Sequence, residues 1–170
     1  MTGLARRAVL ILLLASAAIG TGAATRQPND DWHAFDGSWN AVGDRQLLAV
    51  AAGGSAATMR LSGALVLSGV NGLRRGFRAQ AIGFDDGRGT GVGRALWTDD
   101  RGDQIFSEIA GQQSRSGRRI EGTITGGTGR YAGLTGSYSF EWRYVLPSDE
   151  TTLQMQSVIL TGRYRLPANE

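Results

Sequence analysis

The chain is 170 residues long, with 18 cationic and 15 acidic side chains, one histidine and no cysteine. These counts exclude a disulfide framework, a lipoprotein cysteine, thiolate metal sites, most zinc arrangements and a serine–histidine triad within the domain. Every cation is an arginine; the arginines are spread along the chain, and the local groups Arg74-Arg75-Arg78 and Arg115-Arg118-Arg119 fall at loops and read as solvated turns, so no nucleic-acid partner is expected.

Arg6 and Arg7 precede an apolar run from Ala8 to Ala18, and Gly22-Ala23-Ala24 follows as a small-residue cleavage site. Residues 1–24 therefore read as a signal peptide, with an uncleaved anchor as the alternative. The run is shorter than the ~20 residues a membrane span requires, so no stable span is expected after cleavage. The mature chain is then expected in the periplasm or secreted. Without residues 1–24 the balance is 16 cationic against 15 acidic side chains, so the high sequence pI says little about partners. Residues 25–36 read as a flexible leader carrying His33, a partly exposed and inert histidine.

From residue 37 to 166, hydrophobic runs alternate with glycine and acidic turns. The pattern predicts strands near 37–42, 45–52, 57–68, 76–84, 90–98, 103–111, 118–125, 136–146 and 151–165. Asn71-Gly72, Asp85-Asp86-Gly87-Arg88-Gly89 and Asp99-Asp100-Arg101-Gly102-Asp103 supply residues that tolerate positive φ in tight turns, so consecutive strands form hairpins. The aspartates also raise a calcium site, but neither cluster follows the spacing of a known loop, and no metal is expected. Glycine, 26 of 170 residues, is about twice its average usage and suits bulges and the corners of a closed sheet. The expected fold is all-β, a single antiparallel up-and-down barrel of about eight strands, with a two-sheet sandwich as the rival. Closure is favoured because few lysines or prolines are present to protect open edges.

The stretch Gly127-Thr128-Gly129-Arg130-Tyr131-Ala132 fits the G-x-G-x-x-G/A pattern of dinucleotide-binding loops. That pattern has a mechanism only where a helix opens against a pyrophosphate. Here strand periodicity resumes at once, so no cofactor is expected. The longer run from Gly126 to Gly133, with Thr135-Gly136 before an aromatic strand, resembles the G-G-T-G-R-[FY]-x-G signature of allene oxide cyclase-like and dirigent-like barrels. More broadly, the chain from about Ser38 to Arg165 resembles small exported bacterial proteins that carry this signature. The resemblance implies a closed barrel, admits cofactor-independent cyclisation or isomerisation, suggests self-association, and transfers no catalytic residue to a position here. The loop glycines read as architectural, with Tyr131 as a plug on one barrel end.

A barrel of about eight strands is filled by side chains or holds one small ligand. Tyr138, Phe140, Trp142 and Tyr144 share one face of their strand and are expected inside, as core or as the wall of a ligand pocket. Arg94 and Glu108 sit in strand middles. They are expected to pair across neighbouring strands, either inside, where they would bind a polar group, or on the outer face with Gly91, Gly93, Ala95 and Trp97 turned inward. Glu121 is expected to face solvent. The candidate ligand-binding set is therefore Arg94, Glu108, Tyr138, Phe140, Trp142 and Tyr144. The expected function is binding of a small, largely apolar molecule. A cyclase or isomerase, and an envelope interaction protein with a filled barrel, are the alternatives, and enzymatic activity is left open.

Overall fold

A computed structural model describes residues 31–50, 54–114, 117–145 and 151–167. The expected signal peptide and the start of the leader lie outside these residues. Eight strands follow in order: β1 (His33–Ala49), β2 (Ser55–Ser68), β3 (Gly76–Asp85), β4 (Thr90–Thr98), β5 (Gln104–Ser114), β6 (Gly117–Gly127), β7 (Thr135–Tyr144) and β8 (Thr152–Arg165). Each pairs antiparallel with the next, and β8 returns to β1, closing an up-and-down barrel. The sandwich alternative is thereby excluded.

The expected strands at 37–42 and 45–52 are one strand, β1, which begins within the expected leader, at His33. The ladder to β2 runs unbroken from Asp36 to Ala49. Gly43 does not interrupt it: with no Cβ, it lets the Arg60–Leu61 backbone approach closely. The irregularity falls instead between Gly37 and Asn40, where the register to β8 shifts and the Trp39 N–H donates to Ser157 Oγ at 2.7 Å. A bulge that releases a backbone donor is stable here because a buried hydroxyl accepts it.

The hairpin chemistry read from sequence is present. Asp86 accepts from the Arg88 N–H at 2.8 Å and from the Thr90 hydroxyl, while Gly87 and Gly89 adopt φ of 71° and 99°. The glycine-rich stretch contains a single 3-10 turn, Gly129–Tyr131, before β7, so no helix opens there. Thr128 fixes the loop to β5, donating to the Gln104 carbonyl at 2.8 Å and accepting its N–H at 2.9 Å. Gly129 needs its missing side chain: its φ is +52°, and a Cβ would collide with the Asp103 carboxylate.

One end of the barrel is packed shut. The loops at that end drop Leu73, Tyr131 and Leu134 onto Phe35, Phe77, Trp97 and Tyr164, all 8% exposed or less. Tyr131 is the plug expected from sequence, its ring centroid 5.8 Å from that of Phe77 and its hydroxyl donating to Asp99 Oδ2 at 2.9 Å. The Tyr164 hydroxyl donates to the Asn71 carbonyl at 2.5 Å and accepts the Asn71 N–H at 2.7 Å, tying β8 to the β2–β3 turn. The two Leu-Thr-Gly-x-Tyr pentads, 134–138 and 160–164, lie side by side on β7 and β8, with Gly136 opposite Tyr164 and Tyr138 opposite Gly162. Burial raises the Tyr131 and Tyr164 phenols above their ordinary pKa, so both remain neutral donors.

Candidate functional site: the open half of the barrel

Above the plug, the interior is hollow. Alternation along β7 turns Tyr138, Phe140 and Trp142 inward, as the sequence predicts, and all three are buried. Trp39 from β1 completes this wall, its ring centroid 4.8 Å from Trp142 and 6.2 Å, edge-on, from Phe140. The opposite wall is rich in small residues, Ala81, Ala95, Gly83, Gly91 and Gly111, with Met59 and Ile109 among them. Large rings facing methyl groups and bare backbone cannot fill the space between them. Among the described residues a cavity of about 300 Å³ remains, extending toward the end of the barrel away from the plug.

Tyr138 forms its floor, packed against Trp97 with centroids 4.9 Å apart. Its ring lies directly on Gly122, where a Cβ would occupy the ring itself. Burial pushes the Tyr138 phenol up to about 12, against a small opposing influence from Ser107. Ser107 Oγ is buried without a hydrogen-bond partner of good geometry, so burial outweighs its influence on the phenol.

The mouth carries charge. Arg118 from β6 and Asp85 from β3 form an ion pair at 2.5 Å, each side chain 19% exposed. Tyr144 stands at the same rim, 55% exposed, on the inward-facing side of β7 but above the enclosed space.

The structure brings Tyr138, Phe140, Trp142 and Tyr144 to one cavity. Arg94 and Glu108 are a correction to the candidate set. They do pair, directly opposite one another at 2.9 Å, but on the outer face, with side chains 66% and 56% exposed. Trp97 and Ala95 are buried inside, and strand alternation sends Arg94 the other way, where water solvates the pair. Glu121 faces solvent as expected, paired with Arg119 at 3.3 Å. The residues missed from sequence are Arg118 and Asp85, taken for solvated turn residues. The alternation of Ile120, Gly122 and Ile124 already placed position 118 on the inner face. Asp99 was likewise read only as a turn former. Among the described residues no three His, Asp or Glu side chains group as metal ligands.

Comparison of the chain with protein-family models, curated proteins and solved structures returned no match.

Proposed function

We propose that this barrel binds a small, largely apolar molecule in the open half of its interior. The carrying observation is the asymmetry of the core: one half packed solid, the other a cavity of about 300 Å³ between an aromatic wall and an alanine–glycine wall. A cavity of ~150 Å³ lined by aliphatic and aromatic groups takes benzene, so this one has room for a two-ring body. Aromatic walls with few polar groups favour an apolar guest.

The enzymatic alternative draws on the same cavity. What the interior offers it is one neutral phenol, Tyr138, and binding of a flexible chain in a folded shape, so it stands second. The resemblance to allene oxide cyclase-like barrels leaves either reading open.

The test is a fluorescence titration with a neutral naphthalene-based dye. Wild type should bind saturably with one site per chain. Ala81→Leu replaces a methyl by an isobutyl group inside the cavity and should abolish binding while leaving the melting temperature equal or higher, because it fills empty space. Unaltered dye binding by a folded Ala81→Leu protein would refute the interior site.

A further inference from the structure

Arg118 is held in the mouth by an arrangement that spans four strands. Asp85, Gly91, Gly111 and Ile120 stand opposite one another in turn across β3, β4, β5 and β6, forming one continuous row. The Arg118 side chain leaves β6 two residues before Ile120 and lies along this row. A Cβ on Gly111 would stand 3.3 Å from Arg118 Cδ, and one on Gly91 would stand 3.0 Å from Nη1. The two glycines therefore form a bare track that lets the guanidinium cross to Asp85. The same side chain lines the cavity beside Trp142, its cross-strand neighbour on β7.

A guanidinium has five N–H donors, and Asp85 engages it through Nη2. The charge of Arg118 is already balanced by Asp85, and a second cation lining the cavity, Arg45 of β1, is engaged by contacts of its own. A ligand carboxylate in the mouth would stand beside the Asp85 carboxylate, and a ligand ammonium beside the guanidinium. Either would leave one charge of a half-buried pair uncompensated. A neutral oxygen acceptor meets no such penalty: it takes an additional N–H and leaves the pair intact.

We infer that the ligand is an uncharged apolar molecule bearing one hydrogen-bond-accepting oxygen, a carbonyl or ether, at the end that lies in the mouth, where Arg118 receives it. This rests on the cavity-binding reading above. Arg118 is the specificity-determining residue, and Asp85 holds it in place and excludes anions.

The test uses four probes with one body: 2-ethylnaphthalene, 2-acetylnaphthalene, 2-naphthoate and 2-naphthylmethylammonium, titrated at neutral pH. Wild type should bind the ketone about tenfold more tightly than the hydrocarbon, the low end for a hydrogen bond from a charged donor. It should also bind the ketone at least about tenfold more tightly than either ion. In Arg118→Met the preference for the ketone over the hydrocarbon should disappear. The double variant Arg118→Met with Asp85→Leu leaves no unpaired carboxylate and gives the same readout where the single variant does not fold. Naphthoate as the tightest probe, or a ketone no better than the hydrocarbon, would overturn this inference and leave the cavity reading standing. No binding of any probe to folded wild type would overturn both.

Discussion

Tyr131→Phe is the sharpest probe of how the closed end is held. The substitution keeps the ring against Phe77 and deletes only the hydroxyl that donates to Asp99 Oδ2 at 2.9 Å. Asp99 keeps the Arg101 and Asp103 N–H groups, at 2.8 and 3.0 Å, but both reach Oδ1, so Oδ2 loses its donor. Hydrogen bonds to charged groups contribute ~1.5–3 kcal/mol. Asp99 is 7% exposed, and its Oδ1 keeps both N–H partners, so the carboxylate stays partly satisfied. The lower end applies, a loss of about 1–2 kcal/mol, or roughly 3–6 °C in melting temperature for a domain of this size. Tyr131→Ala, which also empties the plug, should cost ~3–5 kcal/mol. The pH dependence adds a second handle. Burial pushes the Asp99 carboxyl up, but the Arg101 N–H, the Tyr131 hydroxyl, the Asp103 N–H and the Arg130 charge together bring it below its ordinary 3.8. A depressed folded-state pKa means stability that is present above pH 3.8 and lost as pH falls through the folded value. The difference between wild type and Tyr131→Phe, measured by urea unfolding, should be full at pH 7 and shrink below 3.8. Equal stability at pH 7, or a difference that does not change on acidification, would refute the role given to this contact.

Gly122→Ala should destabilise the barrel by ~1–3 kcal/mol, because its Cβ must displace the Tyr138 ring; an unchanged urea midpoint would show that the ring does not rest there. Wild type should lose stability as pH rises from 10 to about 12, since the Tyr138 phenol ionises more readily in the unfolded chain, and Tyr138→Phe should flatten that decline; identical alkaline profiles would contradict its burial. Arg94→Ala should shift stability by less than about 0.5 kcal/mol and leave probe binding unaltered, as expected of an exposed pair. Loss of binding in that variant would return Arg94 to the site.

Strand alternation and turn chemistry carried most of the fold, and the reasons are local. Tyr138, Phe140 and Trp142 are separated by polar residues, and two-residue periodicity alone sends them to one side. Asp86 and Gly87 meet the requirements of their turn within five residues. At β4 the same logic was ambiguous. Val92 lies outward, 65% exposed, while the inward positions 91 and 93 are glycines, so hydrophobicity pointed to the wrong face. The cross-strand partner of Arg94 was legible, and of the two faces the outer one, with Gly91, Gly93, Ala95 and Trp97 inward, is the one found. The cavity depends on facts no single strand holds. Its emptiness comes from Ala81 and Ala95, on β3 and β4, standing across the barrel from Trp39 and Trp142. Arg118 reaches Asp85 only because Gly111 and Gly91 come into register between them. Such juxtapositions follow from closure and register, which the sequence implies but does not display.

The most direct test of the central claim is where a bound probe sits. A crystal of the barrel grown with 2-acetylnaphthalene should show the naphthalene between the Trp39–Trp142 wall and Ala81–Ala95. Ile82, Phe84 and Val92, which are 59%, 47% and 65% exposed, border the same cavity and also offer a competing apolar surface on the outer face. A probe found on that outer surface, with the interior unoccupied, would contradict the account.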